Sequence, residues 1–201
     1  VSLAHLGVLF LDEMPEFRRD LLEALRHPLE AGIVHIARAK NTLIFPARFS
    51  LVAAMNPCPC GYYGDKEKEC RCGAHEVLRY QKKVSGPILD RIDLQIEVPR
   101  VKIEDLQKPR DEKQSKDIKN KISMVRKAQK ERFLKAGIKA RTNSQLSSRQ
   151  VDELITLSPQ AVILAKSLFN KSLISARGYY RILKISQTIA DLDESQNIEE
   201  N

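Results

Sequence analysis

The sequence predicts an α/β domain built on parallel strands, followed by a smaller domain made only of helices. Three observations predict this fold class. The apolar run Gly7-Val-Leu-Phe-Leu11 ends in the acidic pair Asp12-Glu13, as a strand does when it delivers side chains to the carboxyl edge of a sheet. A second apolar run, residues 49–55, ends at Asn56. From residue 118 onward, apolar residues recur only at helical spacing.

The first strand and the first helix follow from the spacing of apolar residues. Residues 6–12 are predicted to form a buried strand, because a near-continuous apolar run is typical of strands that are covered on both faces. Pro15 lies where a helix commonly starts, and Gly32 is expected to end that helix. The apolar face of the helix is predicted to consist of Phe17, Leu21, Leu22, Leu25 and Leu29.

A β-hairpin is predicted over residues 34–45. Its turn is expected near Lys40 and Asn41, and Pro46 should close the second strand because proline cannot donate to a ladder. Residues 49–55 are predicted to form the next core strand.

A loop over residues 58–73 then carries all four cysteines of the chain. A helix is expected from about Glu76 to Val84, a short turn at Gly86-Pro87, and a third core strand over residues 92–98. This first part of the chain is predicted to be a partial α/β core over residues 1–106.

Residues 107–117 are predicted to be a solvated linker, since Pro109 is their one apolar residue. Helices should fill residues 118–192, beginning with a long basic helix marked by Ile118, Ile122, Val125 and Phe133. Later helices are expected to start at serine N-caps, namely Ser147 or Ser148, Ser158 and Ser175. The last helix should bury Ile182, Ile185, Ile189 and Leu192, and residues 193–201 should be frayed.

Composition narrows the class of protein. The net charge of +8 suits an acidic partner such as nucleic acid, although a basic protein with no nucleic-acid role explains the charge equally well. No apolar run approaches the roughly 20 residues of a membrane span, and the amino terminus has no basic region or cleavage site of a signal peptide. We therefore expect a cytoplasmic protein with no membrane partner.

The four cysteines form two close pairs, Cys58-Pro-Cys60 and Cys70-Arg-Cys72, separated by nine residues. Four thiolates at this spacing are able to surround one tetrahedral ion, for which Zn²⁺ is the preferred metal. A site closed by four sulfur ligands is structural, because no open position remains for water. Free or redox-active thiols and a pair of disulfides are the alternatives, and Cys-x-Cys is tighter than the usual Cys-x₂-Cys spacing.

An ordered set of motifs resembles one family. The set comprises Gly7-Val-Leu-Phe-Leu-Asp-Glu-Met-Pro-Glu-Phe17, Pro28-Leu-Glu-Ala-Gly32, Asn56-Pro-Cys-Pro-Cys-Gly61, Ser85-Gly-Pro-Ile-Leu-Asp-Arg-Ile-Asp-Leu94 and Ser175-Ala-Arg-Gly-Tyr-Tyr-Arg-Ile-Leu-Lys184. Together these motifs resemble the magnesium-chelatase-like AAA+ ATPases of bacteria, of the competence-associated DNA branch-migration helicase type. The resemblance covers roughly residues 7–192. It implies the carboxy-terminal part of an AAA+ core followed by a helical lid.

The resemblance implies a role for each polar residue at the expected ATP site. Asp12 and Glu13 resemble a Walker B pair, with Asp12 for Mg²⁺ and Glu13 as the catalytic base. Asn56 resembles sensor 1, whose amide holds the attacking water or the γ-phosphate of ATP. Arg91 resembles an arginine finger that reaches a neighbouring subunit's site, and Arg177 resembles sensor 2.

Each of these residues also has a structural interpretation. Asp12 and Glu13 are able to cap the following helix, because carboxylates favour helix amino termini. Asn56 before Pro57 is compatible with turn chemistry, Arg91 with a structural ion pair, and Arg177 with an exposed helix surface.

The resemblance implies DNA as the partner, bound independently of its base sequence. It also implies that the protein assembles into a ring, which in this family is a hexamer. The hairpin carries His35, Arg38 and Lys40, and positive side chains there would neutralise phosphates. A solvated hairpin tip explains Arg38 and Lys40 equally well. The basic residues of the long helix have the same two interpretations.

The motif Gly-x₄-Gly-Lys-Ser/Thr does not occur in the chain. We therefore expect a fragment of an ATP-dependent DNA-remodelling motor, serving natural transformation or recombination, that is inactive without its Walker A half. One alternative is a magnesium-chelatase-type motor acting on a protein partner. The other is a non-catalytic, zinc-stabilised nucleic-acid-binding module.

Overall fold

The structure is a computed structural model that describes residues 1–38, 41–99, 101, 112–171, 174–195 and 197–199. It divides into two compact units, Val1–Pro99 and Arg100–Asn201. The first unit combines strands and helices, and the second is helical in the residues described. The chain is therefore a mixed α/β protein with a helical carboxy-terminal part, as the sequence predicts.

Two parallel strands form one of the two sheets described in the first unit. β1 spans Val8–Leu11 and β4 spans Ser50–Ala53, with Leu11 opposite Ala53 in the register. The predicted parallel strand is therefore confirmed, but its predicted complete burial is wrong. Leu9 and Leu11 pack against the core, whereas Val8 and Phe10 are 62% and 59% exposed. Side chains alternate across a strand, and no described element covers the second face of β1.

The predicted single helix between Pro15 and Gly32 is interrupted. A 3₁₀ turn, Met14–Glu16, precedes α1 (Arg19–Ala24) and α2 (Arg26–Ala31), which are separated at Leu25. Pro28 accounts for the interruption, because a proline in a helix cannot donate to the carbonyl four residues earlier. Gly32 ends α2 as predicted, in the left-handed conformation with φ of 67°.

The core of the first unit lies between these helices and the segment after residue 80. Its most buried side chains are Met14, Leu22, Leu25, Val84 and Ile88. Leu9, Leu11, Leu29, Leu89 and Ile92 pack around them in partly buried positions. This cluster fixes the loop after β1, since Met14 and Pro15 in that loop are themselves buried.

The predicted hairpin is present. β2 (Ile33–Arg38) pairs with β3 (Asn41–Pro46) in antiparallel register, from Ile33 opposite Pro46 to Arg38 opposite Asn41. Pro46 is the last residue of β3, as the sequence predicts. The hairpin tip, including Lys40, lies outside the described residues.

Two helices follow the cysteine loop, α3 (Ala74–Gln81) and α4 (Gly86–Leu89). The predicted third strand over residues 92–98 is wrong, because this segment pairs with neither sheet of the described chain. Leu94, Ile96 and Val98 are 64%, 79% and 79% exposed. A strand needs a ladder partner, and alternating apolar residues alone do not supply one.

The described residues of the second unit form four helices, α5 (Glu112–Lys135), α6 (Ser148–Leu154), α7 (Pro159–Asn170) and α8 (Ala176–Leu192), and a 3₁₀ turn at Asn143–Gln145. α5 begins inside the stretch for which the sequence predicts a linker. The N-cap hydroxyls of Ser147, Ser158 and Ser175 each accept a backbone hydrogen bond, as predicted.

The core of the second unit includes Phe133, Leu146, Val151, Leu183, Ala190 and Ile198. The predicted apolar stripe of the last helix is wrong in part, since Ile182 and Ile189 are 42% and 52% exposed. The predicted frayed tail is also wrong at Ile198, which is 5% exposed and bridges to Leu157. Burying this side chain holds the tail against the helices.

Several polar side chains lie beside that core. Gln129, Asn143 and Gln187 are buried, and all three donate to the carboxylate of Asp191, at 2.8, 2.9 and 3.0 Å. A hydrogen-bonded network of this kind satisfies polar groups that would otherwise be costly to bury.

Within the described residues, no helix is both long enough and apolar enough to cross a bilayer.

Candidate functional site

The acidic pair and Asn56 follow two strands that run side by side in the same direction. Asp12 comes directly after β1, and Asn56 comes three residues after the end of β4. Hydrogen bonds link the two strand ends, from the Ala54 amide to the Leu11 carbonyl and from the Met14 amide to the Ala54 carbonyl, each at 2.9 Å. The parallel register therefore delivers Asp12, Glu13 and Asn56 to one edge of the sheet.

The backbone reverses at Glu13. Its φ of 49° and ψ of 48° place it in the left-handed region, which non-glycine residues seldom adopt. The Glu13 amide donates to Asp12 Oδ1 at 3.0 Å, and both acidic residues are exposed. Strained conformations of this kind cluster at functional sites, at a cost of about 1–3 kcal/mol. The loop therefore presents two carboxylates to solvent from a backbone held by the buried Met14 and Pro15.

Tyr80 lies under this acidic loop and was not predicted from the sequence. Burial is the main reason that its pKa is raised, and the carboxylates of Glu16 and Glu13 raise it further. A backbone hydrogen bond from Asn56 acts in the opposite direction. The phenol of Tyr80 is therefore a link between the loop after β1 and the loop after β4.

Arg91 is held inside the first unit. Its Nη2 atom lies 2.8 Å from Glu30 Oε2, and its Nη1 atom donates to the Pro87 carbonyl at 2.5 Å. The side chain of Arg91 is only 12% exposed, and its Nε atom has no hydrogen-bond partner among the residues that the structure describes. Glu30, in α2, is thus an ion-pair partner of Arg91.

Two other predicted site residues, Arg177 and Arg38, belong to different elements of the chain. Arg177 is exposed in the first turn of α8, in the second unit. Arg38 ends β2, and its side chain lies outside the described part of the structure, as does all of Lys40.

The four cysteines lie together. The Sγ atoms of Cys58 and Cys60 are 3.4 Å apart, those of Cys58 and Cys70 are 3.7 Å apart, and those of Cys60 and Cys70 are 3.6 Å apart. All four Sγ atoms, including that of Cys72, lie within 4.8 Å of one another. None is bonded in a disulfide.

These separations fit a tetrahedral zinc ion. A Zn–S bond of about 2.3 Å places the sulfur atoms of a regular tetrahedron about 3.8 Å apart. The measured distances are therefore close to those of a four-thiolate site. Gly61 and Gly64, with φ of 80° and 82°, make the tight turns that bring the two cysteine pairs together.

The thiols influence one another strongly. Backbone amides of Arg71 and Tyr62 donate to Cys60 and lower its pKa to about 6. A backbone hydrogen bond from Cys60 also favours the thiolate of Cys72, but burial and the nearby Cys60 and Cys58 raise the pKa of Cys72 to about 12. Thiolates this close repel one another, and a bound divalent cation removes that penalty.

The cysteine loop is attached to α3. The Gly73 amide donates to Glu76 Oε2 at 2.9 Å, which caps the helix directly after Cys72. At the other end of α3, Gln81 Nε2 donates to the Pro57 carbonyl at 3.0 Å, next to Cys58. Both ends of the helix are therefore tied to the cysteine cluster.

The chain matches two known protein families. Residues 1–106 match the family magnesium chelatase, subunit ChlI, and residues 112–201 match its C-terminal family. The chain belongs to the magnesium-chelatase-like AAA+ family. The resemblance drawn from the sequence motifs is thereby confirmed.

Among its relatives is the competence protein ComM of Haemophilus influenzae, 44% identical over 199 residues, which are 98% of this chain and 38% of the relative. The uncharacterized protein YifB of Escherichia coli is 41% identical over 202 residues, with the same two coverages. The uncharacterized protein Rv2897c of Mycobacterium tuberculosis is 37% identical over 192 residues, 96% of this chain and 37% of the relative. The chain therefore spans less than two fifths of the length of these relatives.

Proposed function

We propose that this chain is the Walker B and lid portion of an ATP-dependent motor that remodels DNA. The observation that carries the proposal is the parallel pairing of β1 and β4, with Leu11 opposite Ala53. This pairing delivers an acidic pair and an amide to one sheet edge, where open α/β sheets bind their ligands. The family relationship and the name of the competence relative from Haemophilus influenzae support the wider role in natural transformation.

The residues at this edge fit Mg²⁺ and ATP. Asp12 offers a carboxylate that binds Mg²⁺ directly or through water, and Glu13 is free to orient and deprotonate the attacking water. Asn56 supplies an amide for that water or for the terminal phosphate. Bound Mg²⁺ supplies charge neutralisation for the leaving diphosphate. In this proposal Arg177 contacts the nucleotide as sensor 2, and Arg91 acts on a neighbouring subunit.

The cysteine cluster is proposed to hold one structural Zn²⁺ through Cys58, Cys60, Cys70 and Cys72. The support is the set of sulfur–sulfur distances of 3.4 to 3.7 Å together with the absence of disulfides among these four residues. Since four sulfur ligands close the coordination sphere, the ion would stabilise the loop and take no part in chemistry.

Assembly into a ring and binding to DNA complete the proposed function. The motor would act in the cytoplasm as a ring, a hexamer by family resemblance, with Arg38 and Lys40 of the hairpin against DNA phosphates. Net charge of +8 supports a polyanionic partner.

A magnesium-chelatase-type motor acting on a protein is the second candidate, and the match to the ChlI family favours it. The two candidates differ in their response to DNA. A DNA motor hydrolyses ATP faster when DNA is present, whereas a motor for a protein partner does not.

The test uses the longer protein that contains this chain and an upstream Walker A motif. ATPase rate is measured with and without DNA for the wild type and for Glu13→Gln, a change that keeps the shape of the side chain and removes the base. Loss of DNA-stimulated hydrolysis in Glu13→Gln, with assembly retained, is expected. Equal ATPase rates in both proteins would refute a catalytic role for Glu13. A wild-type ATPase rate that is the same with and without DNA would favour the chelatase-type motor.

A further inference from the structure

A cationic pocket lies beside the acidic loop and outside the site described above. It has a volume of about 380 Å³ and lies between the loop after β1 and the end of α3. Its lining consists of Pro15, Glu16, Phe17, Arg19, Arg79, Lys82 and Lys83. Four of these side chains are cationic and one is anionic. This pocket is called the basic pocket below.

Most of this positive charge is not neutralised within the unit. Lys83 Nζ pairs with Glu16 Oε1 at 3.0 Å. Arg19, Arg79 and Lys82, by contrast, make no ion pair with any residue that the structure describes, and all three are exposed. Arg19 also interacts electrostatically, without an ion pair, with the Glu23 carboxylate. A concave surface lined by cations without ion-pair partners raises the local positive potential and attracts anions.

An aromatic ring accompanies these cations. Phe17 lines the basic pocket and is 41% exposed. A phenyl ring exposed to this extent is accessible for stacking. Cations that follow a phosphate backbone, next to an aromatic face on which a base stacks, are the combination used to bind single-stranded nucleic acid.

α3 and the three residues that follow it carry three of the cations that line this pocket. Val77, Tyr80 and Val84 are buried on one side, at spacings of three and four residues. Arg79 in α3, together with Lys82 and Lys83 directly after it, lines the pocket with Phe17 and Arg19. Because both ends of α3 are tied to the cysteine loop, the cysteine cluster positions these cations.

We propose that the basic pocket binds single-stranded DNA. Arg19, Arg79 and Lys82 contact its phosphates, and Phe17 stacks on a base. This inference deepens the proposed function, since a DNA-remodelling motor must hold separated strands, and it assigns the contact to a surface apart from the hairpin. Contacts of this kind read no sequence.

Fluorescence anisotropy of the 201-residue chain with a labelled oligothymidylate of about 30 nucleotides tests the proposal. The double variant Arg79→Glu/Lys82→Glu should bind about tenfold more weakly or worse near 0.1 M salt. Its plot of log affinity against log salt should be shallower by about 1.4, because about 0.7 is lost for each phosphate contact to a single strand. Phe17→Ala should weaken binding by about tenfold and leave the salt slope unchanged.

Two matched controls separate this site from general charge and aromatic content. Lys139→Glu/Lys166→Glu changes the net charge by the same amount at exposed positions of the second unit. Phe169→Ala removes a phenyl ring that is 51% exposed there. Both controls should bind the oligonucleotide as the wild type does. A loss in the Lys139/Lys166 control equal to that in the Arg79/Lys82 variant would overturn the proposal.

Free ATP and inorganic phosphate distinguish the sources of the phosphate. Neither should displace the oligonucleotide at a matched phosphate concentration, because a single strand makes several contacts together. If ATP or phosphate displaced the oligonucleotide at equal phosphate concentration, the pocket would be a general anion site and the proposal would be wrong. Failure of the wild-type chain to bind the oligonucleotide would also overturn it. The ATPase assay of the longer protein is a separate readout, so the failure of one proposal is distinguishable from the failure of the other.

Discussion

Asp191 and Arg132 form a bidentate ion pair inside the second unit. Arg132 Nη1 lies 2.6 Å from Asp191 Oδ1, and Arg132 Nη2 lies 2.9 Å from Asp191 Oδ2. The Asp191 side chain is 6% exposed and that of Arg132 is 29% exposed. Arg132 Nη2 also donates to Asn143 Oδ1 at 2.8 Å. One buried carboxylate therefore joins α5, α8 and the 3₁₀ turn at Asn143–Gln145.

Replacing this carboxylate should destabilise the second unit. Asp191→Asn leaves the Arg132 charge partly buried without its partner, and we expect a loss of about 3 kcal/mol in the free energy of unfolding. Urea unfolding, monitored by circular dichroism, measures the free energy of unfolding of each variant. Asp152→Asn is the control, because Asp152 is exposed and accepts one hydrogen bond, from Tyr180. Its loss should be about 1 kcal/mol or less. Equal losses in the two variants would contradict the role given to Asp191.

The same network makes stability depend on pH. Burial alone would raise the pKa of Asp191, but hydrogen bonds from Arg132, Asn143, Gln187 and Gln129 outweigh it and lower the pKa. A carboxyl with a lowered pKa in the folded state stabilises the fold fully above its unfolded pKa, about 3.9. That stabilisation is lost as the pH falls below about 4, through the lower folded value.

Urea midpoints measured between about pH 6 and pH 3 test this dependence. The wild type should lose more stability over that range than Asp191→Asn, whose amide does not titrate. If the urea midpoint fell equally with pH in the two proteins, titratable groups other than Asp191 would account for the pH dependence.

Purified protein is expected to carry about one zinc ion per chain, the number that a single four-thiolate site holds. Metal analysis measures the content, and a thiol reagent should find the four cysteines protected until a chelator is added. His75 lies three residues after Cys72, and its imidazole is a possible substitute ligand. His75→Ala should keep its zinc, because the four cysteines complete the cluster without it. A metal-free protein with four reactive thiols would disprove the site.

ATP binding by the 201-residue chain alone should be weak. A P-loop supplies backbone amides and a lysine for the phosphates, and its motif does not occur in this sequence. Isothermal titration should show a dissociation constant above roughly 1 mM, equivalent to about 4 kcal/mol. Micromolar binding would show that the acidic pair and Asn56 suffice to hold the nucleotide.

Local signals in the sequence predicted much of the fold. Serine N-caps, the glycine that ends α2 and the proline that ends β3 all act on backbone within a few residues, so their effects can be recognised from neighbouring residues. The acidic pair at the end of a strand was predicted in the same way. These features need no knowledge of distant parts of the chain.

Features that depend on distant partners were missed or wrong. The apolar alternation of Leu94, Ile96 and Val98 predicts a strand, yet no described strand pairs with them. The pairing of Glu30 with Arg91 joins residues about sixty positions apart. The polar Gln187 interrupts the apolar face of α8, and that interruption is the signal that could have indicated the Asp191 network.

The ion pair between Arg91 and Glu30 allows a test of whether Arg91 acts in trans. Glu30→Gln weakens the pair and keeps the arginine, whereas Arg91→Ala removes the guanidinium. If Arg91 serves a neighbouring subunit's ATP, Arg91→Ala in the longer protein should abolish DNA-stimulated hydrolysis. Glu30→Gln should then retain hydrolysis, because its guanidinium remains able to neutralise transition-state charge.

Mixing Arg91→Ala with Glu13→Gln should also restore part of the activity, because some interfaces then join an intact Glu13 to an intact Arg91 from the neighbour. If the pair is only structural, Glu30→Gln and Arg91→Ala should lose stability and activity together, and the mixture should stay inactive. Analytical ultracentrifugation of each variant confirms that assembly is intact before rates are compared. If assembled rings of the mixed variants showed no ATPase activity, Arg91 would have a purely structural role as the partner of Glu30.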